Sequence, residues 1–338
     1  MLLIAGAEAR YSPGLEIAEG ENITLNGGEI LGDYLPAGGV VVVSVDGVVS
    51  AVDHTGHLIR SGVAGTDDTD VLQAGLNALN DTYFSFDTFG IFYTDIPLRI
   101  PGRIHWSGHN SEIFADTSNS TVRDSFIRDD DATELKEYNK TIVIRDLILD
   151  GIDKSGDGYV EYGINISRAR HAVLENINVL HCDSDGFFVR DDSWMTMLTN
   201  CKTYDNGNYA VHFVAGPNDK PNGCSIIGGR FMADDGGGIY IEDGTDIRVA
   251  KSSIESTGTA AYILDNASIF DGNYIEACTN GFYWGAGGDT IYGLTLTNNH
   301  MYSVTNPTMP VSASAGTVYM VGNTVDGVSI DSFVGWST

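Results

Sequence analysis

HAVLENINVLHCDSDGFFVRDDSWMTMLTNCKTYDNGNYAVHF (171–213) holds two copies of one pattern. In each copy a short apolar segment, AVLENINV (172–179) or TMLTNCKT (196–203), carries an Asn near its middle. A polar turn rich in Gly, Asp and Asn comes next, and then a second short run, GFFV (186–189) or AVHF (210–213). Runs of this length, bounded by turn-forming residues and without a helical period, read as strands. The first element recurs as IVIRDLIL (142–149), CSIIGGRF (224–231), IRVAKSSI (247–254), SIFDGNYI (268–275), LTLTNNHM (294–301) and VYMVGNTV (318–325). Aligned on Asp146, Asn176, Asn200, Gly228, Lys251, Gly272, Asn298 and Gly322, the copies are 30, 24, 28, 23, 21, 26 and 24 residues apart. The second element recurs as GINI (163–166), GIYI (238–241), AYIL (261–264) and GFYW (281–284).

Two or three short strands per repeat of this size describe one coil of a solenoid. Helical repeats need amphipathic stretches of about ten residues or more, which are absent, and a propeller blade needs about 40 residues. A parallel β-helix is left. Upstream, GTDDTDVLQAGLNAL (65–79) sets Val71, Leu72, Leu76 and Leu79 on one helical face behind acidic candidate caps at Asp67 and Asp68, and IPGR (100–103) supplies a Pro-Gly turn.

Cap helix, Pro-Gly turn and coils, in that order over residues 65–326, resemble the right-handed parallel β-helix of the pectin-lyase-like superfamily. The resemblance implies an all-β fold: a right-handed parallel β-helix solenoid with an N-terminal capping helix. Residues 1–64, with NITL (22–25) and VVVVSV (40–45), are expected to form a small N-terminal β-rich module for attachment or oligomerisation. Residues 327–338 are expected to be a C-terminal tail or cap. The charged stretch 115–140 is expected to interrupt the early coils as a loop.

Composition narrows the function. Asp plus Glu number 46 against 18 Lys plus Arg, a net charge of -28, with only six Lys. Nucleic-acid binding by counterion release needs clustered cations, so it is excluded, as is attraction to an anionic membrane surface. No apolar run approaches the roughly 20 residues of a spanning helix, and the start MLLIAGAEARYSPG has no basic segment of a secretory signal. Carboxylates spread along the chain fit a protein working in concentrated salt. The four cysteines show no metal spacing and read as buried thiols.

In a β-helix, equivalent residues of successive coils stack about 4.8 Å apart, so sites are columns rather than linear motifs. With Ile164, Phe187, Val211, Ile239, Tyr262 and Phe282 inward, alternation turns Asn165, Phe188, His212, Tyr240, Ile263 and Tyr283 outward. Such an aromatic column suits a sugar polymer, whose ring faces stack, or else a covering loop or neighbouring subunit. The candidate glycan-binding residues are therefore Phe188, Arg190, Trp194, His212, Tyr240 and Tyr283. Candidate catalytic acids beside them are Asp185, Asp191, Asp192, Glu242 and Asp243, because carboxylates one or two coils apart fall within the roughly 5–10 Å that glycoside hydrolysis uses. Asp191-Asp192 matches the D-D of polygalacturonase-like relatives, but no G-H-G or R-I-K is present, and the chain departs from the pectin-cleaving patterns. Asp153, Ser155 and Asp157 of DKSGDG (153–158) occupy alternate positions of a candidate calcium loop that lacks its closing Glu.

The combination looks like a phage tailspike. That resemblance implies a homotrimeric virion-surface spike that binds a host cell-surface glycan or glycoprotein, contacts other virion proteins through residues 1–64, and cleaves glycans in some members. The alternative is a secreted or extracellular polysaccharide lyase, glycosidase or uronate epimerase.

Overall fold

The structure is a computed structural model that describes residues 23–25, 28–30, 39–79, 84–116, 123–129, 141–151, 160–216, 219–264, 267–284, 293–310, 317–330 and 334–335. Its coils stack parallel strands into a right-handed β-helix with three strand facets. One facet is a nine-stranded parallel sheet running from Leu98–Ile100 through Arg123–Asp129, Val160–Ser167, Phe187–Arg190, Tyr209–Val214, Gly237–Ile241, Thr259–Ile263 and Asn280–Trp284 to Asn306–Pro310. The other two are joined by a two-residue bend, as between Thr196–Thr199 and Lys202–Tyr204.

The bend explains the repeat. Asp146, Asn176, Asn200, Gly228, Lys251, Gly272, Asn298 and Gly322 all have positive φ, between 53° and 70°. Gly bears no Cβ penalty there, and Asn and Asp tolerate the left-handed region better than other side chains. The next residue turns inward, and in the C-terminal coils these residues form a buried polar string. Asn299 Oδ1 accepts from the backbone N–H and Nδ2 of Asn273, while Asn323 Oδ1 accepts from the same two groups of Asn299, all at 2.9–3.1 Å. Each interior amide is satisfied by the coil beside it.

The remaining interior is apolar. Ile164, Phe187, Val211, Ile239, Ala261 and Phe282 stack in one column and Ile166, Val189, Phe213, Ile241, Ile263 and Trp284 in the next. Tyr262 is not inward as alternation from AYIL suggested. It pairs with Tyr240 and Tyr283 on the outer face, and Ile263 is the buried residue. AYIL starts one register position later than GIYI, since Ala261 pairs with Ile239, and apolar residues on both sides of the tyrosine hide the phase.

The N-terminal end is closed by the helix Asp68–Ala78, whose Val71, Leu72 and Leu76 are buried against Val40, Val42 and Phe86. Asp67 and Asp68 do not act as side-chain caps of this helix. Asp67 accepts the N–H of Val63 at 2.7 Å, and Asp68 those of Gly65 and Tyr93 at 3.0 and 2.7 Å, so both pin neighbouring loops. Gly39–Val45, Val48–Asp53 and Leu58–Val63 form an antiparallel meander, and its first strand pairs in parallel with Ser85–Phe89. At the other end Val328–Ser329 pairs antiparallel with Thr324–Val325, and Val334–Gly335 with Thr317–Val321. Within the stretch expected to be a charged loop, Arg123–Asp129 is instead a ladder strand. Ser125 and Ile127 point inward, and its charges sit at outward or terminal positions, where Asp129 accepts the N–H of Ser167 at 2.8 Å. The cysteines are free and buried, and burial raises Cys224 to about 11 and Cys201 to about 12.

One interior acid stands apart. Asp234 accepts hydrogen bonds from Thr203 Oγ1 at 2.7 Å and from the backbone N–H and Nδ2 of Asn206 at 3.1 and 2.7 Å. Burial nevertheless pushes its carboxyl up to about 7. The folded chain thus holds a proton that the unfolded chain releases near pH 4, and stability from this group is lost as pH rises through about 7. Asp234→Asn is expected to match the wild type near pH 4 and to exceed it by about 2–4 kcal/mol at pH 8, as measured by urea unfolding of both proteins across that range.

Candidate functional site

The outer face of the nine-stranded sheet carries one continuous ladder. Strand register places Arg99, Arg128, Asn165, Phe188, His212, Tyr240, Tyr262, Tyr283 and Met309 side by side in successive coils. Ring centroids are 5.2 Å apart for Phe188 and His212, 4.7 Å for His212 and Tyr240, 5.8 Å for Tyr240 and Tyr262, and 4.9 Å for Tyr262 and Tyr283.

A second column stands three residues earlier, at the corner where each strand enters the sheet: Tyr162, Asp185 and Tyr209. These share the sequence phase of the inward residues, yet the chain is still turning there and their side chains leave the core toward the ladder. Small residues follow them at the corner, and a Cβ on Gly186 would stand 2.7 Å from Thr203 Cγ2 and 2.8 Å from the carbonyl of Ala210. Strict alternation from GINI and AVHF therefore missed Tyr162 and Tyr209. The signal available was an aromatic residue immediately before the Gly or Ala that opens each strand.

The two columns meet at His212. Its Nδ1 lies 3.0 Å from Asp185 Oδ2 and its Nε2 lies 3.1 Å from Glu242 Oε2. Asp185 is 1% exposed, and its other oxygen accepts the N–H of Tyr209 at 2.9 Å. Each ring nitrogen of His212 therefore faces a carboxylate oxygen, Nδ1 on the buried side and Nε2 on the solvent side. Asp185 thus orients the imidazole from the protein side, while Glu242 meets it from the solvent side. Tyr209 lies against His212, Tyr240 and Tyr262, with centroids 5.6, 4.6 and 6.0 Å away. Burial and then the neighbouring Tyr240 push the Tyr209 phenol up to about 12; burial and Glu242 raise Tyr240, and burial and Glu161 raise Tyr162. Two protonated phenols, Tyr209 and Tyr240, therefore flank the imidazole, and Tyr162 lies beyond Phe188.

The other residues singled out in the sequence lie around this centre. Phe188, 8% exposed, is covered by the parallel ring of Tyr162 at 4.3 Å, so Tyr162 is the ring presented there. Arg190 is exposed and sits over Phe188, 5.8 Å from its centroid. Trp194 is off the ladder in the following turn, with Arg170 4.8 Å above its ring. In the same turn Asp191 is buried against Arg168 at 2.7 Å, and burial and Asp219 raise the Asp192 carboxyl. Asp243 pairs with Lys220 at 3.0 Å. Of the five candidate acids, Asp185 and Glu242 are the two that converge on one group. Asp153, Ser155 and Asp157 lie outside the described residues. Among the described residues no group of three or more His, Cys, Asp or Glu could hold a metal, and no helix is long and apolar enough to cross a membrane.

The geometry defines a right-handed parallel β-helix protein of pectin-lyase-like fold with a His–carboxylate centre on its nine-stranded sheet. No protein-family model matches the chain, and no curated protein matches it by sequence. Among solved structures it is similar to an alginate lyase of Paenibacillus, with a TM-score of 0.54 and 14% identity over 77% of this chain and 94% of that one. It is also similar to the A-module of a mannuronan C-5 epimerase of Azotobacter vinelandii, with a TM-score of 0.51 and 11% identity over 77% and 84%. At such identities the likeness is one of fold.

Asp185→Asn keeps an acceptor for Tyr209 but faces His212 with a donor. The variant is expected to fold, with the His212 proton moved from Nδ1 to Nε2. Nitrogen NMR of the ring reads the tautomer directly; an unchanged Nδ1–H would show that Asp185 does not set it.

Proposed function

We propose that the ladder binds an acidic polysaccharide and that His212 removes the C5 proton of a uronate residue, leading to β-elimination or to epimerisation. The observation that carries this is the imidazole held between Asp185 and Glu242 in the middle of an aromatic face. Asp185 holds Nδ1–H, so that Nε2 can accept the proton. Arg190 neutralises the uronate carboxylate, which stabilises the enolate formed as the C5–H bond breaks. Tyr209 or Tyr240, kept neutral by burial, then gives a proton. Delivered to O4 while the C4–O4 bond breaks, it yields a C4=C5 double bond; delivered to the opposite face of C5, it yields the epimer. Support also comes from the two similar structures, named for a lyase of alginate and an epimerase of mannuronan.

Hydrolysis by a carboxylate pair fits less well. Asp185 and Glu242 do not face each other across an open gap, because the ring of His212 fills the space where an anomeric carbon and water would sit.

The second reading is a homotrimeric virion-surface spike from a halophilic host, in which the same ladder only binds a host cell-surface glycan or glycoprotein. It is favoured by the surface implied by a net charge of -28 with six Lys, and by the meander ahead of the cap helix. In that reading residues 1–64 join copies of the chain or other virion proteins.

Wild-type protein incubated with alginate, polymannuronate and polygalacturonate in heavy water is expected to release unsaturated uronates or to incorporate deuterium at C5. His212→Ala should lower that rate by about 10²–10⁴-fold, the usual weight of a positioned base. Retention of a polymer by the wild type with neither product would favour the spike, and light scattering would then be expected to give a trimer.

A further inference from the structure

We infer that the binding groove is polarised along the helix axis: the coils before His212 read carboxylates, and the coils after it stack on sugar rings regardless of charge. This rests on the acidic-glycan assignment of the ladder and goes beyond it by fixing which end of the groove recognises what.

Two observations carry it. The first is where the cations fall. Arg99 and Arg128 occupy ladder positions on the N-terminal side, and Arg190 flanks the ladder there, beside Phe188. Arg128 is tied to Asp124 at 2.9 Å, and Asp124, Glu161 and Asp185 lie near enough to raise the Tyr162 phenol, so the cation these coils offer a ligand is Arg190, exposed and 5.8 Å from the Phe188 centroid. A guanidinium beside an aromatic ring rather than a carboxylate keeps its N–H groups for a planar anion such as a uronate carboxylate. Beyond His212 the ladder positions are Tyr240, Tyr262, Tyr283 and Met309, and none is charged.

The second observation is continuity. From Tyr162 over Phe188 to Tyr283 each ring touches the next, with centroid spacings of 4.3–5.8 Å. The series runs two coils before His212 and three coils after it, so five steps of about 4.8 Å span about 24 Å, the length of roughly four or five pyranose residues. Rings on the C-terminal arm offer stacking and phenolic hydrogen bonds, which any sugar satisfies. A polymer of mixed composition would therefore be bound with its acidic stretch over the N-terminal coils. Because the reacting uronate sits at the junction, activity depends on the acid content of one flank and on the mere length of the other.

The test compares uronate trisaccharides and hexasaccharides for binding by calorimetry at two salt concentrations, using wild type, Arg190→Gln and the double variant Tyr262→Ala/Tyr283→Ala. The double variant is expected to lower the ratio of hexasaccharide to trisaccharide affinity about tenfold while the salt dependence stays as in the wild type. Arg190→Gln is expected to weaken both ligands by a similar factor and to flatten the salt dependence. Equal losses on both lengths in the tyrosine variant, or an unaltered salt dependence in Arg190→Gln, would overturn the polarity. Both variants carry surface changes, and circular dichroism separates misfolding from lost binding. Length-dependent binding without any turnover by the wild type would defeat the proton-abstraction chemistry and leave the polarity standing.

Discussion

Backbone hydrogen bonding between coils is the constraint on which the molecule depends. Each strand pairs in parallel with the equivalent strand of the next coil, so the side chain of one coil rests on its counterpart about 4.8 Å away. A residue is thus never chosen alone. An inward Phe187 needs Val211 and Ile164 beside it, and an outward His212 must share a column with Phe188 and Tyr240. The chain meets this condition with apolar columns inside and, where a polar residue enters, with a polar neighbour one coil away.

Polar strings inside the coil follow from the same rule. Asn273, Asn299 and Asn323 satisfy one another because each amide has both a donor and an acceptor side, and stacking brings them into reach. Asn206 and Asp234 repeat the device in another column, with an acid where an amide would suffice. That acid is a titratable group with no buried cation beside it among the described residues, and burial dominates its ionisation.

Outside the coil, stacking concentrates chemistry that is dispersed in the chain. Asp185, His212 and Glu242 are 27 and 30 residues apart in sequence, yet they occupy consecutive coils and touch. The same stacking turns four separate tyrosines into one wall with the imidazole embedded in it. A face of this kind can bind a long, regular ligand, since its own repeat runs parallel to that of a polymer.

The amino-acid sequence alone determined the solenoid, the cap helix and most of the outward column, because a local pattern repeated eight times needs no knowledge of distant contacts. It misjudged Arg123–Asp129, whose charges disguise a strand with one polar face, and Tyr262, whose apolar neighbours leave the phase ambiguous. Only the tertiary structure decided that Asp185 and Glu242 share His212, that Asp191 and Asp243 are held by Arg168 and Lys220, and that Tyr162 and Tyr209 join the site. The physical reason is the corner. Alternation predicts side-chain direction along a straight strand, whereas at the turn into the sheet the backbone rotates, and the direction of those residues is set by the coils above and below.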